Sequence, residues 1–400
     1  MCWIVGVLLW VGGCAQEPEP TAPVPSSVLD REVVHLDLPS GPGAMAPQLT
    51  GSGDDLVLTW LEPTEDDRHS LYFTTFDEGW THGRHIATSD DFFANWADRP
   101  AAIRAHDGTL YAHWLRMMGE GTYDYGIHMV RSSDDGVTWQ DMGWLHDDAT
   151  PAEHGFVTYV QEPEGVRAFW LDGRAMPGGG DMQLRTTVVG SSEPSELVDE
   201  RVCECCSLDS AHGRLGSFVT YRDRSPDEVR DIAVGAGGDS AWTGGTIHDD
   251  GWRIAGCPVN GPAIDIAEDR VVIAWHTEAV EPLVQVAFSD SDAVGRRFGE
   301  PTTIDDQAPL GRVDVAWIGD DHAAVSWLDA TDGGAALRWR WIHVDGTVGP
   351  VEQVATTTAQ RSAGVPRMIR HDDMLLFVWV DDSGPATVLR SGRVQIPSFG

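Results

Sequence analysis

The chain has 400 residues, and its 63 Asp and Glu residues outnumber 27 basic residues, all of them Arg, to give a net charge of −36 at pH 7. Phosphate binding needs a basic face, so this charge excludes nucleic acid as a partner and argues against adsorption on anionic membranes. The length alone suggests two or three domains, but an internal repeat, described below, indicates one.

Residues 1–13 are apolar and have the length of a secretory signal peptide, too short to span a bilayer as a stable helix. They run into the sequence VGGC, which resembles the bacterial lipobox and implies that Cys14 is lipidated. A plain cleaved signal is the alternative. Residues 14–31, rich in Pro and Glu, predict an extended tether. We expect an exported protein: a bacterial outer-membrane lipoprotein, or one in the periplasm or at the cell surface, with the lipid as its only membrane contact.

A short apolar run ending in an aromatic residue occurs seven times at a nearly constant spacing. The first copy is LVLTWLE at 56–62, and successive aromatic residues lie 51 to 56 positions apart. A fixed period of this kind has to be explained before any single motif. The seven aromatic residues are Trp60, Trp114, Trp170, Tyr221, Trp275, Trp327 and Trp379.

The same order of strand signals surrounds each of these aromatic residues. An apolar run comes first, followed by a polar turn, the run with the aromatic residue, a variable loop and a third apolar run. With a fourth strand, each unit becomes a four-stranded antiparallel sheet, and such sheets must stack to bury both faces. We therefore predict an all-β fold, a seven-bladed β-propeller over residues 32–400, with six blades as the alternative.

The two ends of this predicted ring complement each other. The last unit has three strand signals before the chain stops at Gly400, whereas the strand REVVHLDL at 31–38 has no unit of its own. An unpaired edge strand would be exposed at each place. We predict that Val33–Leu38 pairs beside the third strand of the last unit and closes the ring.

Ten Asp-Asp pairs are scattered through the predicted turns. A solvated acidic surface that keeps an exported protein soluble accounts for them. Structural calcium is the alternative, because carboxylates are hard oxygen ligands, although no stretch has the spacing of an EF-hand. We therefore expect no metal and no cofactor, with structural calcium left open.

Four cysteines follow the tether, and four thiols in an exported chain first indicate disulfides. Because the two groups precede the first strands of neighbouring units, we predict that Cys257 is bonded to one of the other three. A thiolate metal site is the alternative, with His154 or His248 as a further ligand, although CECC lacks the usual ligand spacing. The four cysteines are Cys203, Cys205, Cys206 and Cys257.

The second unit contains the motif S-x-D-x-G-x-T-W in the stretch SSDDGVTW. Two of its side chains can bind the backbone of a tight hairpin, its glycine supplies a positive φ, and its tryptophan packs underneath. The motif is therefore a folding device. Its residues are Ser132, Asp134, Gly136, Thr138 and Trp139; the first unit has a variant at Thr75, Asp77, Gly79 and Thr81, and the fifth a worn copy at Ser291, Gly295 and Phe298.

With these motifs the chain resembles the sialidase-like, Asp-box (BNR) propeller superfamily over its mature length. Stretches such as WADRPAAI and YRDRSPDEVRDI are similar to those of exported bacterial exo-sialidase-like proteins. Asp-boxes also occur in propellers that cleave nothing, so the resemblance implies the fold more than the chemistry. The family binds a sugar carboxylate with three arginines and uses a Tyr–Glu pair and an Asp. Its tyrosine lies in a late blade, whereas the last tyrosine here is Tyr221.

Candidate binding residues come from the loops that share one end of a propeller channel, where small ligands usually bind. These loops are rich in arginine, which grips carboxylates and other planar anions through two hydrogen bonds. For each arginine the alternative is an ion pair with a neighbouring acid. The predicted ligand-binding residues are Arg99, Arg116, Arg174, Arg222, Arg224, Arg253 and Arg312.

Four residues of the same loops are candidates for catalysis. Glu153 and His154 can titrate in a useful range when partly buried, although a buried hydrogen-bonding role is the alternative for His154. Asp98 can stand for the acid of the family, and Tyr123 lies in the loop GEGTYDYG.

Two classes of function follow. The first is a monomeric propeller lipoprotein that binds an anionic glycan or a small carboxylate ligand without cleaving it. The second is an exo-sialidase or other glycoside hydrolase acting on acidic sugars. Two close carboxyls beside free arginines would favour hydrolysis.

Overall fold

The computed structural model describes residues 32–51, 53–66, 68–237, 242–289 and 297–399. The predicted signal peptide, the lipidation site Cys14 and the tether lie outside the described residues. Within the described ranges, no helix is long and apolar enough to cross a membrane.

These residues form seven antiparallel sheets, which are the blades of the predicted seven-bladed β-propeller. Blade 1 contains β2 (Met45–Thr50), β3 (Val57–Pro63), β4 (His69–Asp77), the short β5 (Gly79–Trp80) and β6 (Arg84–Ser89). Blade 2 contains β7 (Ala101–Arg104), β8 (Leu110–Met117), β9 (Tyr125–Ser132) and β10 (Gln140–Trp144). Blade 3 contains β11 (His154–Glu162), β12 (Gly165–Asp172), β13 (Gln183–Val188) and β14 (Glu196–Asp199).

The remaining blades repeat this pattern. Blade 4 contains β15 (Asp209–Gly213), β16 (Gly216–Arg222), β17 (Ile232–Ala236) and β18 (Thr243–Thr246). Blade 5 contains β19 (Ala263–Ala267), β20 (Arg270–Thr277), β21 (Leu283–Phe288) and β22 (Thr302–Asp305). Blade 6 contains β23 (Pro309–Trp317), β24 (His322–Thr331), β25 (Gly334–His343) and β26 (Glu352–Thr357). Blade 7 contains β27 (Arg367–His371), β28 (Met374–Asp381), β29 (Val388–Gln395) and β1 (Val34–Leu36). Outside the strands, single 3-10 turns occur at Gly53–Asp55, Met176–Gly178 and Arg361–Ala363.

The N-terminal strand closes the ring as predicted. β1 pairs antiparallel with β29, with His35 opposite Gly392. The strand covers three residues of the predicted Val33–Leu38. It satisfies the backbone groups of β29 that would otherwise form an open edge.

The seven repeated aromatic residues all lie on the second strand of a blade and are buried in the core between neighbouring blades. Five of the seven donate a side-chain hydrogen bond to an acid, as expected for buried Trp and Tyr, whereas the buried indole N–H of Trp114 has no hydrogen-bond partner among the described residues. Trp170, for example, donates a 2.7 Å hydrogen bond to Asp172, and Tyr221 donates one of 2.7 Å to Asp199. The repeat therefore specifies packing in all seven blades and hydrogen bonding to an acid in five of them.

Aspartates on the inner strands join successive blades. Asp209 accepts a hydrogen bond from the backbone N–H of Ile264, and Asp265 accepts one from that of Trp317. Asp314 continues the series by binding the N–H of Met368. Each bond runs from the first strand of one blade to the first strand of the next, so these carboxylates hold the inner wall of the propeller together.

The turn between β9 and β10 has the hydrogen bonds that its sequence predicts. Asp134 accepts bonds from the N–H and hydroxyl of Thr138, and Ser132 accepts one from the N–H of Gly136. Gly136 has φ of 80°, and an added Cβ would lie 2.3 Å from the ring of Phe73. The ring of Trp139 packs edge-on against the same Phe73, so the turn is a structural device that also joins blades 1 and 2.

The other two copies of this motif differ. In blade 1 the hairpin between β4 and β5 places Glu78, not Gly79, at positive φ, and Thr81 binds the backbone of Thr75. In blade 5, Ser291 and Gly295 lie outside the described residues, and Phe298 bridges Ser289.

Candidate functional site

Three side chains from blades 2 and 3 meet at the end of the propeller where the inner strands begin. Asp98 lies in the loop entering blade 2, Tyr125 begins β9, and Glu153 directly precedes β11. The phenol oxygen of Tyr125 lies 2.7 Å from Glu153 Oε1 and 3.2 Å from Asp98 Oδ2. We call this group the carboxyl–phenol triad.

The backbone at the start of β11 allows the Asp98 carboxyl to lie close to it. Gly155 allows the close approach, because an added Cβ would lie 2.0 Å from Asp98 Oδ2. A bulge follows in β11, where Phe156 has φ of 54° and directs its N–H to Asp98 Oδ1 at 2.7 Å. Ala46 and Arg312 have similar positive φ values on other inner strands, so the bulge is a repeated device that is used here to hold a carboxyl.

Burial determines the protonation of the triad. Asp98 is 1% exposed, and burial raises its pKa to about 8 against the opposing hydrogen bond from Phe156. Burial also raises the pKa of the half-buried Glu153 to about 7, with smaller contributions from the charges of Glu204 and Cys203. Desolvation and the two carboxyls raise the pKa of Tyr125 well above its usual value. At pH 7 Asp98 is therefore mainly protonated, and Glu153 populates both forms.

This protonation explains how one phenol can bond to two carboxyls. A phenol has a single proton, so it can donate to only one of them and must accept a hydrogen bond from the other. Protonated Asp98 is the donor that meets this requirement through Oδ2, since Oδ1 already accepts from Phe156. The triad thus forms a chain of hydrogen bonds from Asp98 through Tyr125 to Glu153, the one partly exposed member.

Tyr125 lies in the triad, whereas the predicted Tyr123 lies two residues earlier in the chain. Tyr125 shares the inward phase of β9 with the buried Ile127 and Met129, and this alternation was the signal that could have found it. Tyr123 is 60% exposed on the preceding loop. Phe93 connects the two tyrosines: its ring stacks on Tyr125 at 4.1 Å and lies 6.4 Å from the ring of Tyr123. Aromatic rings therefore lead from the surface to the triad.

His154 does not join the triad although it follows Glu153 in the chain. Its ring is fully buried, stacks on His146 at 4.1 Å and places Nε2 3.6 Å from Asp172 Oδ1. Strand alternation turns it away from Glu153. The buried, hydrogen-bonding interpretation of His154 is the one that the contacts support.

Three of the predicted ligand-binding arginines bind uncharged oxygens of the protein. Arg99 is 7% exposed and donates to the side chain of Gln48 at 2.8 Å, and burial lowers its pKa to about 9. Arg222 is 1% exposed and donates to the carbonyls of Asn260, Arg230 and His276. Arg312 donates to the carbonyls of Gln360 and Gly364.

Three others are held by acids. Arg116 pairs with Asp91, Arg174 pairs with Asp172 and Asp147, and Arg224 pairs with Glu204 and Glu228. Arg253 is exposed and has no ion pair within the described part of the chain. A ligand role for these arginines stays a prediction, and Arg253 is the member of the set whose guanidinium group has no ion pair with a described residue.

The predicted disulfide is absent, since all four described cysteines are free thiols. Cys203 Sγ lies 3.4 Å from Cys206 Sγ and 3.9 Å from Cys205 Sγ, whereas Cys257 is exposed. The prediction failed because the turn at 204–205 folds CECC onto itself, so that the partners of Cys203 are its own neighbours.

The central channel forms a cavity of about 500 Å³ lined by the inner strands. The carboxylates that line it are Asp209, Asp265 and Asp314, which also join the blades. Arg367 Nε lies 3.2 Å from Asp314 Oδ2. Burial raises the pKa of Asp209 to about 6 and that of Asp265 to about 7. Among the described residues, the only group of three or more His, Cys, Asp or Glu side chains close enough to hold one metal ion is the cysteine group.

Comparisons with known proteins identify the fold. No protein-family model and no curated protein matches the chain. Solved structures that match include the lectin BP39L from Burkholderia pseudomallei, with a TM-score of 0.62 at 13% identity over 90% of this chain and 98% of the lectin. The polysaccharide lyase Uly1 matches with a TM-score of 0.55 at 10% identity over 93% of this chain and 94% of the lyase. A protein of unknown function from Dyadobacter fermentans matches with a TM-score of 0.53 at 13% identity, over 94% of this chain and 100% of its own. At these identities the similarity shows the fold alone: this chain is a seven-bladed β-propeller.

Proposed function

We propose that this protein is a carbohydrate-cleaving β-propeller in which Glu153 transfers a proton at the glycosidic bond. The observation that carries the proposal is the carboxyl–phenol triad, in which Tyr125 joins Glu153 at 2.7 Å to the buried Asp98. A structural ion pair joins a carboxylate to a cation, whereas here two carboxyls share one phenol and the charge of Arg99 has only a minor effect on Asp98. Perturbed carboxyls of this kind are typical of functional sites.

The three residues have different roles in this proposal. Glu153 is the partly exposed member, and a pKa of about 7 lets it both donate and accept a proton at neutral pH. Tyr125 is buried, so we assign it a positioning role: its hydrogen bond orients the Glu153 carboxyl and favours its charged form. Asp98, held by Phe156, positions Tyr125 in turn.

Two further observations support a carbohydrate as the ligand. Tyr123 presents an exposed ring on the loop beside the triad, and aromatic rings provide apolar faces on which sugar rings can stack. The structurally similar proteins with TM-scores above 0.5 include a lectin and a polysaccharide lyase. The resemblance to the sialidase-like superfamily points more narrowly to acidic sugars.

A second candidate function is binding of an anionic glycan without cleavage. It is favoured by Arg253, which is exposed and has no ion pair in the described ranges. Export through residues 1–13 and lipidation of Cys14 remain part of both proposals. Incorporation of labelled palmitate by the wild type, and its loss in Cys14→Ala, would test the anchor.

A screen of neutral and acidic polysaccharides, together with aryl glycosides that include a sialoside, tests the proposal. Cleavage is measured as new reducing ends for hydrolysis or as ultraviolet absorbance of unsaturated sugars for elimination, and binding is measured by calorimetry. We expect cleavage of at least one carbohydrate, and a rate about 10²- to 10⁴-fold lower in Glu153→Gln. Binding that Arg253→Ala abolishes, without cleavage of any substrate, would favour the second candidate. Neither binding nor cleavage would contradict both.

A further inference from the structure

Three thiols form a compact group in the loop that enters blade 4. The Sγ atoms of Cys203, Cys205 and Cys206 all lie within 4.8 Å of one another. Cys203 and Cys206 are each 1% exposed, and Cys205 is half-buried. The group is therefore largely shielded from water and opens to solvent on the side of Cys205.

Contacts with neighbouring strands fix this loop. The N–H of Cys203 donates to the carbonyl of Arg222, and Val202 forms a bridge with Asp223. On the other side, Gly261 packs against Ser207 so closely that an added Cβ would lie 2.0 Å from the Ser207 carbonyl oxygen. The thiols are thus held in place before any ligand binds, which lowers the entropy that binding would cost.

Two arginines act on the thiols, and one of them, Arg230, is also paired with Glu204 and Glu228. Arg230, whose side chain is 4% exposed, places Nη1 3.2 Å from Cys203 Sγ, and the charge of Arg222 acts on Cys206. Hydrogen bonds from Cys205 and Cys206, together with Arg230, hold the pKa of the Cys203 thiol well below its usual range, whereas hydrogen bonding with Cys203 raises the pKa of Cys205 and burial raises that of Cys206. Binding of one cation by all three sulfurs would therefore release thiol protons.

We propose that Cys203, Cys205 and Cys206 form a metal site that binds one thiolate-preferring cation, Zn(II) or Cu(I). Sulfur atoms bound to one cation at about 2.3 Å lie about 4 Å apart, and the observed separations of 3.4 and 3.9 Å agree with this. Soft thiolate ligands select these two cations over calcium or magnesium. A disulfide would use only two of the three sulfurs.

The test uses the full chain, reduced and treated with chelator, then titrated anaerobically with Zn(II) or Cu(I) against chelators of known affinity. We expect one cation per chain in at least one of the two titrations, and the relative affinities identify which cation the site prefers. Loading should protect three thiols from alkylation, and mass spectrometry should assign them to Cys203, Cys205 and Cys206. An ultraviolet thiolate-to-metal charge-transfer band gives a second readout that does not depend on any activity.

Substitutions separate this site from adventitious binding. Cys203→Ser, Cys206→Ser and the half-buried Cys205→Ser should each weaken binding about 100-fold or more. Cys257→Ser, at an exposed thiol outside the group, should bind as the wild type does. Circular dichroism checks that each variant folds. If Cys203→Ser or Cys206→Ser does not fold, the half-buried Cys205→Ser tests the site. Absence of stoichiometric binding with unprotected thiols, a disulfide between two of the three cysteines in metal-free protein purified without reductant, or an equal loss in Cys257→Ser would overturn the proposal.

Discussion

Tyr125 donates a 2.7 Å hydrogen bond to Glu153, which lies 28 positions away on the neighbouring blade. The same phenol oxygen lies 3.2 Å from Asp98 on its other side. Because a phenol has one proton, and because burial raises the pKa of Asp98 further than that of Glu153, the arrangement in which Asp98 donates and Glu153 accepts is favoured at pH 7. The geometry of the site therefore depends on both the packing of blades 2 and 3 and the protonation of a buried acid.

Replacing the phenol should shift the pH dependence of cleavage. The hydrogen bond from Tyr125 favours the charged form of Glu153, so Tyr125→Phe removes that effect and raises the pKa of Glu153 above about 7. The limb of the rate profile that reports Glu153 should move to higher pH. Profiles of cleavage rate against pH check this, measured for the wild type and Tyr125→Phe after chelator treatment so that the thiol site is empty. Tyr123→Phe is the matched control. An unshifted limb in Tyr125→Phe would show that Tyr125 does not act on Glu153.

Gly155→Ala should disrupt the triad while leaving the propeller folded. The added methyl group would lie 2.0 Å from Asp98 Oδ2, so the Asp98 carboxyl must move out of reach of Tyr125. We expect a loss of about 1–3 kcal/mol in the free energy of unfolding, typical of overpacking, and a larger relative loss of cleavage. Gly245→Ala is the control, since nothing lies within 4 Å of its Cβ. Wild-type cleavage by Gly155→Ala would contradict the role of the triad.

Removing the closing strand should weaken the whole ring. A chain that starts at residue 40 lacks β1 and leaves the backbone of β29 unpaired, whereas a chain that starts at residue 32 keeps it. We expect a lower Tm for the shorter chain, and association that grows with concentration as open edges pair. Scanning calorimetry and analytical ultracentrifugation measure the two effects. Equal Tm values would mean that β1 adds nothing to stability.

The shifted carboxyls should make stability highest near pH 4. Asp98, Asp209 and Asp265 have folded-state pKa values of about 8, 6 and 7, above their ordinary 3.8, so the stability linked to them falls as pH rises from about 4 to 8. Asp147 has the opposite shift, to about 2, through hydrogen bonds from Ser195 and Arg174 that oppose its desolvation. Its contribution is lost as pH falls from about 4 to 2.

Tm values between pH 3 and 9 test this dependence. Asp265→Asn should flatten the decline between pH 5 and 8, because it removes one of the groups responsible. A Tm that rises steadily from pH 5 to 8 would contradict the raised pKa values of the buried aspartates.

Much of the fold follows from the sequence, because Trp60 and its six counterparts recur at one period and each blade repeats the same strands. The placement of Glu153 and Asp98 was also predictable, since loops entering the inner strands converge at one end of the channel. The hydrogen-bond partners that side chains find on other blades were not predictable. Arg222 binds the carbonyl of Asn260, 38 positions away, and no local pattern indicates which oxygen a guanidinium group will meet. The prediction of a disulfide to Cys257 failed for a similar reason, since a single turn decides which sulfur atoms face each other.

The most direct test of the proposed function is the rate of carbohydrate cleavage by three proteins at pH 7: the wild type, Glu153→Gln and Glu164→Gln. Glu164 is an exposed acid in the turn between β11 and β12, so its substitution makes the same change in charge on the same blade. General acid–base catalysis contributes about 10²- to 10⁴-fold, and we predict a loss of that size in Glu153→Gln with an unchanged rate in Glu164→Gln. A Glu153→Gln protein that cleaves as fast as the wild type would contradict the account.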